Sequence, residues 1–298
     1  MIVSNTTAAT NAIAIQMDRA LGQMLSGSHH DAIQRWLSPS DPSTNYNEAL
    51  KLRHAGSGQW LLRDSRYTQW KEKSSSFLWL NGIPGCGKTV LSSTVLKELE
   101  EDPNTKTVLY FYFSFTDVHK QSREDAIRTL ASQLYNLGAP GVQGTLDACF
   151  ISHKNGQQQP SFDSLRIPFQ NMMQQAGETW FVLDALDECP DKDQQRRHLL
   201  EWIQEIAESG DIHLLVTSRP EPDIKSAIEE WASPDNIIAL QSNLVQGDIS
   251  SYIKWEVKNG KRLERWCDQK NVQQEIQDTL TQKANGMYEV FVYLPSNG

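Results

Sequence analysis

Two kinds of apolar pattern alternate along this chain. Short, nearly continuous apolar runs predict strands buried on both faces, at 77–80, 108–113, 180–183, 212–216 and 237–240. Between these runs, apolar residues recur at every third or fourth position, which predicts amphipathic helices. Because strands alternate with helices, we predict an α/β fold with a parallel sheet covered on both faces.

The helical spacing is clearest after the first three strands. The positions expected to face the core there are Val90, Leu91, Val95 and Leu96, then Ile127, Leu130, Ala131 and Leu134, then Leu199, Trp202, Ile203 and Ile206.

The two ends of the chain have different patterns. A weakly amphipathic helix is predicted through Ile13, Met17, Leu21 and Met24, with Gly27-Ser28 as its break, and 39–46 (PSDPSTNY) is predicted to be a linker or ordered loop. After about 241 the strand pattern stops and a helical one begins, and the apolar ending predicts a chain that stops before its next element. We therefore expect an N-terminal helical extension and linker at 1–62, an α/β domain at 63–241, and a truncated helical subdomain at 242–298.

The octet GIPGCGKT, from Gly82 to Thr89, fits the phosphate-binding pattern G-x-x-x-x-G-K-[ST] at every fixed position. Glycines let the backbone wrap around a polyphosphate, Lys88 supplies a positive charge, and Thr89 supplies a hydroxyl for Mg2+. A chance match is the alternative, expected in roughly one chain in a hundred. A buried strand before the octet and a helix after it favour the functional interpretation. The predicted nucleotide-binding residues are Gly82, Ile83, Pro84, Gly85, Cys86, Gly87, Lys88, Thr89 and Val90.

An acidic cluster ends the third predicted strand, in WFVLDALDE. We predict that Asp184 binds Mg2+ through water, together with Thr89. Asp187 and Glu188 are both candidates to orient or deprotonate the attacking water, with Glu188 slightly favoured. A solvated helix start, where acidic side chains favour the helix dipole, is the alternative.

Arg219 ends the fourth strand, in LLVTSRP, at the edge that would face the nucleotide. We predict that it contacts the γ-phosphate and belongs with the catalytic residues. The alternative is a surface arginine before a proline-rich turn.

Composition restricts the other functions. A net charge of −9 argues against nucleic-acid or anionic-membrane binding, and we see no apolar window of transmembrane length. The beginning of the chain does not resemble a secretory signal. The four cysteines are far apart and form no C-x-x-C pair. We therefore predict a cytoplasmic protein without nucleic-acid or membrane partners.

Together, GIPGCGKT, FVLDALDEC and LLVTSRPEPD resemble the fungal NACHT-type signal-transducing ATPases (STAND P-loop NTPases of the NOD-like receptor type). The flanking stretches resemble the nephrocystin-like N-terminal module of fungal multidomain proteins, and the likeness extends from about 31 to 287. It implies a three-layer P-loop NTPase fold with sheet order 5-1-4-3-2. It also implies a slow ATP/ADP switch that uses Mg2+, forms homo-oligomers through the NTPase domain and acts in non-self recognition or heterokaryon incompatibility.

Some details of the resemblance leave alternatives open. It implies adenine contacts upstream of the loop, with Arg53, Gly58 and Trp60 as candidates, although Trp60 also suits packing. The sensor repeats and effector domain typical of such receptors have no counterpart in this sequence. A small-molecule phosphoryl-transfer kinase, which shares the loop and the magnesium chemistry, and a nucleotide-binding scaffold without turnover remain alternatives. Because Cys86 lies inside the loop, we also predict that thiol alkylation interferes with ATP binding.

Overall fold

The computed structural model of this protein describes residues 27–54, 56–240, 242–259, 263, 266 and 269–284. Within them, five strands form one parallel sheet. The strands are β1 (Ser76–Asn81), β2 (Val108–Tyr112), β3 (Thr179–Asp184), β4 (Ile212–Ser218) and β5 (Ile237–Ala239). Their order is β2-β3-β4-β1-β5, so both the parallel five-stranded sheet and the order 5-1-4-3-2 are confirmed.

The register of the sheet brings together the segments that carry the sequence motifs. Asn81, the last residue of β1, pairs with Ser218, the last residue of β4. On the other side of β4, Leu183 pairs with Val216, and Asp184 follows directly. The carboxyl ends of β1, β4 and β3 therefore meet at one edge, where ligands of parallel α/β sheets bind.

Helices cover both faces of this sheet and make it the middle of three layers. One face carries α1 (27–37), α6 (Arg123–Asn136), α7 (Pro140–Ser152), α8 (Phe162–Ala176), α9 (Gln195–Ala207) and α10 (Pro222–Trp231). The other carries α2 (Ser43–Leu52), α3 (Gln59–Leu62), α4 (Ser65–Glu72), α5 (Lys88–Glu101), α11 (Ser242–Asn259) and α12 (Lys270–Ala284). Short 3-10 turns lie at Val118–Lys120, Leu186–Glu188 and Pro234–Asn236.

The core is divided by the sheet into two apolar clusters, because successive strand residues point to opposite faces. Trp79 and Phe181 belong to the cluster under α6 to α10. Leu78 and Val182, their chain neighbours, belong to the cluster under α2 to α5. Burial on both faces explains why the strand sequences are almost continuously apolar.

The N-terminal part differs from the prediction at one place. Gly27 and Ser28 are the first described residues and lie in α1, so the break predicted at them adjoins residues outside the described part and stays a prediction. Three large side chains of α1, Ile33, Trp36 and Leu37, are buried in the first cluster. The segment 39–46 is irregular only up to residue 42, because α2 begins at Ser43. The helix predicted through Ile13, Met17, Leu21 and Met24 lies outside the described residues.

The sequence patterns did not predict α7 and α8, which lie between α6 and β3. Gly141 and Gly144 in α7 and Pro168 in α8 argue against helices by local propensity. Both helices are stabilised instead by tertiary contacts, since Leu146 and Phe169 are buried in the first cluster.

The domain limits at 62 and 241 stay predictions. Tyr46 of α2 and Leu61 of α3 are buried in the same cluster as α5 and the strands, and so is Ile249 of α11. None of the helices in the described part of the chain has the length and apolar character needed to cross a bilayer.

Candidate nucleotide site

The glycine-rich loop connects β1 to α5 and depends on glycine at three positions. Gly85 and Gly87 have φ values of 70° and 92°, a left-handed conformation that disfavours other residues. At Gly82, an added Cβ would lie 2.7 Å from the Cys86 Sγ atom and 2.9 Å from the Leu240 Cβ atom. The loop ends at Gly87, the N-cap of α5, so the unpaired N–H groups of the first helical turn lie next to it.

Lys88, the first residue of α5, folds back over the loop. Its ammonium group donates hydrogen bonds to the carbonyl oxygens of Gly82 at 2.9 Å and Ile83 at 3.0 Å. These bonds place a positive charge at the concave side of the backbone turn, where a polyphosphate would need it.

Asp184 ends β3 and connects three elements of the site. Thr89 of α5 donates its hydroxyl to the Asp184 Oδ2 atom at 2.8 Å. Thr217 of β4 donates to the Oδ1 atom at 2.7 Å and accepts the Ala185 backbone N–H at 3.0 Å. The glycine-rich octet and the acidic strand end are therefore in direct contact.

The Asp184 carboxyl group has little electrostatic compensation. Asp184 is only 2% exposed, and among the described residues no ion pair neutralises its carboxylate. Burial raises the pKa of Asp184, while the hydroxyls of Thr217 and Thr89 and the charge of Lys88 act in the opposite direction. A buried carboxylate beside a threonine hydroxyl is a donor set that suits Mg2+, which prefers oxygen ligands.

Glu188 and Asp187 lie in the 3-10 turn after β3, and their environments differ. The turn begins after Ala185, which has a φ of 60°, an uncommon value for a residue with a side chain. The Glu188 Oε2 atom accepts the Phe115 backbone N–H at 3.1 Å. Burial raises the pKa of Glu188, and the nearby Asp187 and Asp184 charges add to this effect.

Asp187 contacts Arg219 through both of its carboxylate oxygens. The Arg219 backbone N–H donates to the Oδ1 atom at 2.8 Å, and the Arg219 Nε atom lies 3.0 Å from the Oδ2 atom. The Asp187 side chain is 6% exposed, whereas that of Arg219 is 42% exposed. Two of the predicted catalytic residues therefore form a pair with each other.

Residues 56–219, more than half of the chain, match the family described as nephrocystin 3, N-terminal. The chain belongs to this family. It is also similar to the vegetative incompatibility protein HET-E-1 of Podospora anserina, with 25% identity over 235 residues. That match covers 77% of this chain but only 17% of the relative's length. The resemblance to the nephrocystin-like module and to fungal NACHT-type incompatibility proteins is thus confirmed.

The matched family region contains polar residues whose roles the sequence did not indicate. Thr217 was visible at the strand end, but its bonds to Asp184 and Ala185 were not. Arg196 of α9 donates from Nε to the Cys189 carbonyl at 2.9 Å and from Nη2 to the Asp187 carbonyl at 3.0 Å. Contacts of this kind leave no spacing signal, because they connect a side chain to the backbone of another element.

The upstream candidates for adenine contact lie beside α5 and α11. Gly58 donates its backbone N–H to the Asp248 carboxylate at 2.7 Å, and an added Cβ there would lie 3.1 Å from the Leu91 Cδ2 atom. The Arg53 Nε atom donates to the Ser57 carbonyl at 3.4 Å, and Trp60 packs against the second apolar cluster. A role for these residues toward adenine stays a prediction.

The structure argues against the prediction about Cys86. The residue is 1% exposed, and its sulfur lies against Gly82 inside the turn. Burial also raises the pKa of the Cys86 thiol, which leaves little reactive thiolate. Sensitivity of ATP binding to thiol alkylation is therefore no longer expected.

Proposed function

We propose that this chain is the ATP-binding, slowly hydrolysing switch of a NACHT-type signalling protein. The observation that carries the proposal is the 2.8 Å hydrogen bond between Thr89, in the phosphate-binding octet, and Asp184, at the end of β3. A magnesium triphosphate needs both groups within reach of one ligand. Sequence motif and geometry support the same site.

In this proposal the segment from Gly82 to Val90 surrounds the phosphates, and backbone N–H groups of the loop and of the first turn of α5 donate to them. The Lys88 ammonium exchanges the carbonyl oxygens of Gly82 and Ile83 for phosphate oxygens. Thr89, and Asp184 through water, would hold Mg2+, which would supply positive charge to the phosphates when bound. The ion would also compensate the buried Asp184 carboxylate.

Glu188 is the proposed group that orients and deprotonates the attacking water. Partial burial and neighbouring acids raise its pKa, which makes it a stronger proton acceptor than an exposed carboxylate. Its Oε2 atom already accepts the Phe115 N–H, so one oxygen is occupied before any water binds. This restriction is consistent with slow turnover. Arg219 is the proposed contact to the γ-phosphate.

The biological role is proposed from the relatives. The name of HET-E-1 refers to vegetative incompatibility, and we propose fungal non-self recognition or incompatibility for the protein to which this chain belongs. We also propose a cytoplasmic location, homo-oligomerisation through an NTPase domain at 63–241, an N-terminal extension at 1–62 and a helical subdomain at 242–298.

The first test identifies the nucleotide on freshly purified protein and measures Mg2+-dependent binding of ATP and ADP. We expect bound ADP, slow hydrolysis of ATP and loss of binding in Lys88→Ala. Lys97→Ala is the matched control, because Lys97 lies on the same helix, pairs with Glu101, and has a side chain that is 45% exposed. Unchanged ATP binding by the Lys88 variant would contradict the proposal.

The second test separates binding from turnover. Glu188→Gln should retain ATP and lower kcat by about 100-fold or more, the usual contribution of a general base. Hydrolysis at the parental rate would exclude Glu188 as the base. Rapid turnover that requires an acceptor would favour a kinase, and binding without any turnover would favour a scaffold.

A further inference from the structure

Asp187 and Arg219 contact each other at two points, and these contacts are not required for an aspartate to act as a general base. The aspartate accepts a hydrogen bond from the Arg219 backbone N–H and forms an ion pair with the guanidinium of the same residue. Its side chain is almost fully buried, while much of the arginine side chain remains exposed. The buried partner is therefore oriented toward the arginine, and the arginine extends from it into the solvent at the edge of the sheet.

Asp187 and Glu188, the two acids of the turn, differ in how many of their carboxylate oxygens already have a partner. Both oxygens of Asp187 are engaged by Arg219, whereas a single backbone N–H engages Glu188. An attacking water has to donate its proton to an accessible carboxylate oxygen. Glu188 meets this requirement better than Asp187.

The backbone of the turn is fixed independently. Arg196 donates to the Asp187 and Cys189 carbonyl oxygens, and its Nη1 atom contacts Asp223 of α10 at 3.2 Å. The Arg196 side chain is only 13% exposed. The backbone at Asp187 is therefore held by Arg196 of α9, independently of the contact between the Asp187 side chain and Arg219.

We propose that Asp187 is a positioning residue that holds Arg219 at the carboxyl edge of the sheet for recognition of the γ-phosphate. The inference rests on the proposed ATP switch and specifies how that switch distinguishes ATP from ADP. The aspartate holds the Arg219 backbone by a hydrogen bond and the Nε side of the guanidinium by an ion pair. The two terminal nitrogens stay available for a phosphate oxygen, a pairing that suits the planar donor geometry of arginine.

The experiment is a double-mutant cycle of Asp187→Asn and Arg219→Gln, read as the ratio of ATP to ADP affinity in the presence of Mg2+. Asparagine keeps an acceptor for the Arg219 backbone N–H but loses the charge that orients Nε. Each single variant should lower the ratio by on the order of tenfold, the effect of losing one hydrogen bond to a charged group. ADP affinity should change by less than about twofold, and the double variant should be no worse than Arg219→Gln alone.

A general base would give a different result. If Asp187→Asn lowers kcat by about 100-fold or more while the affinity ratio is unchanged, Asp187 is catalytic and the inference is wrong. Effects on the ratio that multiply in the double variant would also overturn it, because they mean that the two residues act independently.

Two further measurements keep the result interpretable. If Asp187→Asn does not fold, Arg219→Lys replaces it. The lysine keeps the charge but lacks the Nε contact, so the ratio of ATP to ADP affinity should fall as well. A ratio equal to that of the parent would refute the inference. If the parental chain binds no nucleotide, the proposed function fails and the inference fails with it. Parental binding with an unchanged ratio in the variants rejects the inference alone.

Discussion

Thr217 provides the sharpest test of how the acidic strand end is built. It is fully buried, donates to Asp184 at 2.7 Å and accepts the Ala185 N–H at 3.0 Å. The substitution Thr217→Val keeps the shape of the side chain but removes the hydroxyl that makes both bonds. The variant therefore removes the donor to the Asp184 Oδ1 atom, while Thr89 still donates to Oδ2, and leaves the buried Ala185 N–H without its acceptor.

The expected cost follows from these two groups. An unpaired buried N–H costs about 1–3 kcal/mol, and a lost bond to a charged group costs about 1.5–3 kcal/mol. We expect the free energy of unfolding to fall by about 3 kcal/mol. Thr217→Ser is the matched control, because it keeps the hydroxyl and removes one methyl group, at about 1 kcal/mol.

The assay is denaturation of the nucleotide-free variants in urea, with the midpoint and the slope fitted separately. The valine variant should unfold at a clearly lower urea concentration than the serine variant. At equal slope, its free energy of unfolding should be lower by about 2 kcal/mol. Equal midpoints for valine and serine would refute the reasoning, since they would mean that the hydroxyl contributes nothing to the folded state.

Two other predictions concern single side chains. We expect iodoacetamide to modify Cys86 slowly in the folded protein, because burial both excludes the reagent and raises the pKa of the thiol. Rapid modification, measured by mass spectrometry of the peptides, would contradict this. Asp64 caps α4 by accepting the Arg66 N–H, and it also pairs with the Arg66 guanidinium. Asp64→Ala should therefore lower the free energy of unfolding by about 1–2 kcal/mol. Asp64→Asn keeps a cap and should lower it by about 0.5 kcal/mol. Arg66 lowers the pKa of Asp64 below 3.8. The difference in unfolding free energy between the parent and the Asn variant should therefore be present above pH 3.8 and disappear as the pH falls through the lowered pKa. If denaturation curves at lower pH still show the difference, the charge of Asp64 is not its source.

Much of the fold followed from local pattern. All five strands lie where continuous apolar runs predicted them, and the helices after β1, β2 and β3 follow the predicted spacing. The two helices that local pattern did not predict, α7 and α8, have a common cause. They contain glycine or proline that argues against them locally, yet Leu146 and Phe169 are buried in a cluster with residues far away in the chain.

The candidate site was predicted in its components but not in its internal contacts. Fixed spacing identified the octet around Lys88, and an apolar run ending in an acid identified Asp184. No pattern indicated that Asp187 pairs with Arg219, 32 residues later, or that Thr217 contacts Asp184. The sequence resemblance supplied the strand order; local patterns alone did not.

The amino-acid sequence by itself determined where the strands lie, which loop fits the phosphate-binding pattern and which acids stand at a strand end, because these properties depend on residues close together in the chain. Only the tertiary structure decided which groups contact the carboxylate oxygens of each acid. These contacts depend on parallel pairing, which places the ends of β3 and β4 side by side although a whole helix separates them in sequence.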